Sequence, residues 1–264
     1  MYNIRMSTIE EFTITEDEIL CDDRYLEISK LNPAIDYIKT DYFYIGPFNW
    51  WRGLPMPGKT LGNRVLITGQ SDYVINDKIY QTYCAKYQYW FSPNVECDGI
   101  GVFNIPLGIS NYGVDKIQYT NVMGNKAPML DILHTPFLKT TLAYMNFSVH
   151  TNPAVRQPVW DMFNSLPWVK VGKSMECTNT SRNTYLRDMY HSKFTICPRG
   201  NGPDTFRMWE ALYMKSIPIV MRHRTHKNME DLPILFIDDW SEVTEELLER
   251  VWEEYSKRYW KYHC

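Results

Sequence analysis

The stretch His191-Ser-Lys-Phe-Thr-Ile-Cys-Pro-Arg-Gly-Asn-Gly-Pro-Asp-Thr-Phe-Arg-Met-Trp-Glu-Ala-Leu-Tyr-Met-Lys-Ser-Ile-Pro-Ile-Val220 decides how the rest of the chain is read. Phe194 to Cys197 is a short apolar run of strand length, Pro198 to Pro203 is a turn rich in glycine and proline, and a second apolar strand opens at Ile217. Between them, from near Asp204, the residues Phe206, Trp209, Leu212 and Tyr213 recur at three- and four-residue spacing, the pattern of a helix with one face on a sheet. In a strand, loop, helix, strand unit the loop lies at the carboxyl end of the first strand and the amino end of the helix. Unpaired N–H groups and the helix dipole favour an anion there. Arg207 and Glu210, three apart on another face, lean back toward that loop, and Arg199 lies within it. An arginine in this position neutralises a phosphate bidentately, and a carboxylate one turn on accepts hydrogen bonds from ribose hydroxyls. The same spacing also fits a plain i,i+3 surface pair.

Pro198-Arg199-Gly200, Phe206-Arg207, Glu210-Ala211-Leu212 and Ile217-Pro218-Ile219-Val220 together resemble the signature of exostosin-like glycosyltransferases, an inverting family. The resemblance runs from about Tyr185 to Ser241 if Ile237-Asp238-Asp239-Trp240-Ser241 is counted as the family's aspartate-tryptophan-serine strand end. It implies two Rossmann-like halves facing across a cleft, the GT-B arrangement, with a nucleotide-sugar donor on the second half and a glycan or glycoprotein acceptor. Similar phrasing occurs in fucosyltransferases, so the motif identifies nucleotide-sugar transfer better than it identifies the sugar.

At 264 residues the chain is long enough for two domains or one large one. Net charge is −3, with no long block of one sign, which excludes nucleic acid as the main partner because phosphate-backbone binding needs a basic face. Cys21, Cys84, Cys97, Cys177, Cys197 and Cys264 show no paired spacing and read as reduced cytosolic thiols. No apolar run reaches the ~18 residues of a membrane span. A soluble, cytoplasmic, virus- or microbe-encoded member is expected, in contrast to the Golgi-anchored animal and plant relatives. The sequons at Asn146 and Asn179 are then chance matches. Two aspartates separated by one residue, the usual holder of a metal and diphosphate, are absent, so a metal-independent reaction without cofactor is expected.

Taken in order, residues 1 to about 60 are irregular; Asn49, Trp50, Trp51 and Arg52 read either as an acceptor groove or as a packed loop. Arg64-Val-Leu-Ile-Thr is a buried strand, and Asp72 follows its carboxyl end, where α/β enzymes place reactive groups. The resemblance makes Asp72 the candidate base for the acceptor hydroxyl; capping of the next helix is the other reading. Tyr87-Gln-Tyr-Trp-Phe and Gly101 to Ile109 give two more strand-like runs. The division is expected near Thr135-Pro136, giving an acceptor-side domain over 1–135 and a nucleotide-sugar-binding domain over 136–264.

In the second half, Thr141 to Val149 opens as a strand, and Pro153 starts a helix running to Phe163. Asn146 and Arg156 are the groups expected to face the donor, alongside Arg199, Gly200, Asn201, Gly202, Arg207 and Glu210. The Arg222-His-Arg-Thr-His-Lys cluster reads as an anion site or as a solvated basic loop. Ser241 is expected to cap a terminal helix with an apolar stripe from Leu247 to Tyr259, which by resemblance packs back across the first half. The expectation is inverting transfer from a UDP-sugar such as UDP-xylose, with GDP-fucose transfer or a non-catalytic nucleotide- or sugar-binding protein as alternatives. The diphosphate would sit over the Arg199 to Gly202 turn.

Overall fold

The computed structural model describes residues 35–39, 65–69, 74–83, 87–110, 118–136, 138–173 and 178–259. Its strands form two sheets, and every pairing in both is parallel.

The first sheet runs in chain order: β1 (Ile35–Lys39), β2 (Val65–Gly69), β3 (Tyr89–Ser92) and β4 (Val102–Asn104). Helix α1 (Asp77–Tyr83) lies between β2 and β3, and its Ile79 and Tyr80 pack on a core of Leu66, Ile75, Trp90 and Val95. Of the run from Gly101 to Ile109 only Val102–Asn104 is a strand; residues 105–110 form no regular strand or helix.

The second sheet takes the order β6-β5-β7-β8-β9, with β5 Thr141–Met145, β6 Val169–Val171, β7 Ser192–Ile196, β8 Ile217–Met221 and β9 Leu235–Ile237. In order of appearance this is 2-1-3-4-5, the doubly wound arrangement whose switch point falls between the first and third strands, here β5 and β7. Strands buried on both faces read as unbroken apolar runs, and Ile217–Val220 and Leu142–Met145 are buried throughout.

The crossovers divide the helices between the two faces. Helix α4 (Pro153–Phe163) and helix α7 (Glu245–Tyr259) cover one: Val159, Phe163, Leu248 and Trp252 pack with Ala143, Phe194 and Ile219. Helix α5 (Asn179–Tyr190) and helix α6 (Phe206–Tyr213) cover the other, joined by α2 (Gln118–Met123) and α3 (Ala127–Leu133).

Two features qualify the sequence reading. The side chains of α7 through Tyr255 pack on the second sheet, with Trp252 edge-on to Phe194 and Lys193 paired to Glu249 at 2.7 Å. Leu107, Ile109, Met129 and Ile132, placed by sequence in the first half, belong to the core on the second sheet together with Leu186 and Met208. The apolar pattern of α3 is the same whichever sheet it meets, so periodicity alone does not assign it.

The start of α7 also differs. The cap is Asp239 and not Ser241: its Oδ1 accepts the N–H and the hydroxyl of Ser241 and caps a short 3₁₀ turn over Trp240–Glu242, closed by a capping box with Glu242. Thr244 then accepts the N–H of Leu247 at 3.2 Å and caps α7 itself.

Candidate functional site

The carboxyl ends of β5 and β7 sit side by side in register, Tyr144 opposite Thr195. The chain leaving β5 (Asn146, Phe147, Ser148) therefore meets the chain leaving β7 (Cys197 to Pro203), and three arginines converge on this junction.

Arg156, on the first turn of α4, is only 5% exposed; its Nε donates to the Arg199 carbonyl at 3.0 Å and its Nη1 to the Ser148 carbonyl at 2.8 Å. Arg207, on the first turn of α6, is half-buried and donates from Nε to the Asn146 carbonyl at 2.8 Å. Both guanidinium groups stand 5.7 Å from the centre of the Phe147 ring, whose negative face favours them. Arg199 is half-buried in the loop; its Nη2 donates to the Asn201 carbonyl at 3.0 Å, while its Nε is buried and completes no hydrogen bond.

The loop glycines are fixed by close approach. A β-carbon on Gly200 would lie 3.1 Å from Nη2 of Arg156, and one on Gly202 would lie 2.7 Å from Nδ2 of Asn94. The Gly200 carbonyl accepts from Asn152 Nδ2 at 2.8 Å, while Asn201 is exposed. Asn146 is buried and donates to the Tyr144 hydroxyl and the Lys173 carbonyl. The junction's positive charge favours the Cys197 thiolate, yet burial outweighs it and pushes that thiol up to about 12.

Glu210 is turned into the helix pair. At 2% exposure its Oε1 lies 2.6 Å from Nη1 of Arg182, and its Oε2 accepts the Tyr185 hydroxyl at 2.7 Å. The Arg182 contact is an ion pair without hydrogen-bond geometry, and Arg182 is wholly buried. The buried face of α6 is thus Met208, Trp209, Glu210 and Ala211, while Phe206, Leu212 and Tyr213 are half-buried on the same cluster. A ribose contact from Glu210 requires its carboxylate to exchange one of these partners. Asp72 lies outside the described residues, as do Asn49, Trp50, Trp51 and Arg52.

The sequence reading missed the polar contacts that bring the first sheet to this junction. Asn94, two residues past β3, is wholly buried and accepts the Asp204 N–H at Oδ1, 3.1 Å. Asp204, 2% exposed, accepts the Leu107 N–H at 2.9 Å and the Trp209 indole N–H at 2.8 Å. Burial pushes its carboxyl up to about 7 against these donors. Beyond β4, Asn104 donates to the Thr225 carbonyl at 2.9 Å.

The basic cluster after β8 is likewise tied to the first half. Arg224 pairs with Asp98, and His223 Nε2 stands 3.2 Å from Glu96 Oε1. The other His223 nitrogen meets Thr225, so both are engaged. Arg222, Arg224, Lys227, His226 and Phe236 line a recess of about 310 Å³ beside them. His226 stacks 5.5 Å from Phe236 and is buried. Burial, reinforced by His223, pushes it down to about 4, and the nearby Pro203 carbonyl pulls the other way without completing a hydrogen bond.

The segments beyond the carboxyl ends of β3 and β4 therefore touch those beyond β7 and β8, the edges at which doubly wound sheets bind their ligands. Among the described residues no helix is long and apolar enough to cross a membrane, and no three His, Cys, Asp or Glu side chains are grouped to hold a metal ion.

A family model described as the Exostosin GT47 domain matches residues 118–256, from the first residue of α2 into α7. No curated protein matches the chain.

Proposed function

Because the chain belongs to the exostosin GT47 family, and is thereby a glycosyltransferase using a nucleotide-sugar donor and a glycan acceptor, we propose that the donor's diphosphate lies at the β5–β7 junction. One observation carries this reading. Three guanidinium groups converge on the loop after β7, two of them held against Phe147, while the buried Nε of the third completes no hydrogen bond. A buried donor without an acceptor is costly, and a phosphate oxygen relieves it.

The reaction we infer is inverting and metal-independent. A base of the first half, with Asp72 the candidate, takes the proton of an acceptor hydroxyl; the oxygen attacks the anomeric carbon from the face opposite the diphosphate, and the bond to the leaving phosphate breaks. Charge that develops on the diphosphate meets Arg199, Arg207 and Arg156, which are already oriented by main-chain carbonyls and need little reorganisation. A UDP-sugar such as UDP-xylose is the proposed donor. Free, buried thiols at Cys97 and Cys197 suit a reducing compartment, and cytoplasmic action is part of the proposal.

The test is a thermal-shift screen of the full chain with UDP, GDP and a panel of their sugars, followed by an assay for released nucleotide. UDP-sugars should raise the melting temperature and be slowly hydrolysed. Binding without turnover would favour a silent binding protein, and an Arg207→Ala variant with undiminished transfer would remove the site assignment.

A further inference from the structure

The loop that carries Arg199 to Gly202 is tied to the first sheet by two side chains with no role in the chemistry above, Asn94 from beyond β3 and Asp204 from the loop itself. Asn94 adopts a left-handed backbone, φ 59°, which asparagine tolerates better than most residues. That conformation places its amide against the loop, where Oδ1 accepts the Asp204 N–H and Nδ2 occupies the space that any side chain at Gly202 would need. Asp204 completes the arrangement from the other direction. Its two oxygens accept from Leu107 N–H, on the chain leaving the first sheet, and from the Trp209 indole, on the helix that carries Arg207.

The loop, its helix and the carboxyl end of the first sheet thus share one buried hydrogen-bonded knot. Accepting the donor site just described, we propose that Asn94 and Asp204 are positioning residues: they fix the β7–α6 loop at the height and angle that nucleotide-sugar binding requires. They act through Arg199 and Arg207 and do not touch the donor.

Asn94→Gly keeps the left-handed backbone and removes the acceptor, and Asp204→Asn turns one of two acceptors into a donor facing an N–H. Each should raise the KM for the donor about tenfold, the value of roughly one hydrogen bond, while kcat stays within about twofold. A kcat that falls instead, with KM unmoved, overturns the role.

A second readout does not depend on the transferase reading. In full-length protein carrying 5-fluorotryptophan, with Trp209 assigned by Trp209→Phe, both variants should shift the Trp209 ¹⁹F resonance in the absence of nucleotide. An unmoved resonance refutes the knot. A shifted resonance with unchanged nucleotide affinity leaves the knot standing and refutes its positioning role, and a wild-type chain that binds neither UDP nor GDP refutes the donor site and this role with it. Should Asn94→Gly fail to fold, Gly202→Ala, whose methyl presses on the Asn94 amide, must give the same KM rise.

Discussion

At the scale of single residues, the Arg182–Glu210 pair is a hazard as much as a support. Replacing Glu210 by Ala strands a wholly buried guanidinium, and about 3–5 kcal/mol of stability should be lost in urea unfolding. Arg207→Ala is a different kind of change: a half-buried charge disappears from the loop side, and kcat/KM should fall about 10²-fold with little loss of stability. Two buried titrating groups give opposite pH slopes. Asp204 stands at about 7 in the folded chain against an ordinary 3.8, so its contribution is full below that ordinary value and is lost as pH rises through about 7. His226 stands at about 4 against 6.5, so its contribution is present above 6.5 and is lost as pH falls toward about 4. Melting temperatures measured across this range should show Asp204→Asn gaining on wild type as pH rises, and His226→Gln gaining as pH falls.

At the scale of elements, the caps and the strand ends set the site. Thr244→Ala removes the acceptor for the Leu247 N–H and should cost about 1 kcal/mol in urea unfolding without altering transfer kinetics. Gly172, just past β6, is different. A methyl there would lie 2.6 Å from Asn146 Nδ2 and 2.4 Å from the Tyr144 hydroxyl, so Gly172→Ala should displace the backbone that receives Arg207 and weaken nucleotide binding in a titration. The strand Ile217–Met221 was legible in the sequence as an apolar run after the polar Lys215-Ser216, and the helix Pro153–Phe163 by the proline that opens it. The knot at Asn94 and Asp204 was not legible. Its partners are 110 and 97 residues apart, and no local spacing reports a contact across that distance. The inward turn of Glu210 was hidden for a related reason: its partner Arg182 sits on another helix, and a charged residue on a helix face is exposed by default.

At the scale of the whole molecule, the core on the second sheet begins earlier than the change in sequence pattern at Thr135-Pro136 suggests. A fragment of residues 136–264 lacks Leu107, Ile109, Met129 and Ile132, all buried, and should show no cooperative melting by circular dichroism; one of residues 105–264 should melt cooperatively. Among the described residues every strand pairing in both sheets is parallel, and this governs how the chain reaches its shape. Parallel neighbours cannot be joined by a tight hairpin, so each ladder waits for a long excursion to return before its first bond forms. Chains of this kind have a high mean separation between contacting residues and collapse slowly, with sticky strand edges bare in the interval. Production at reduced temperature, or beside a chaperone that shields those edges, should therefore give more active protein than rapid synthesis in the warm.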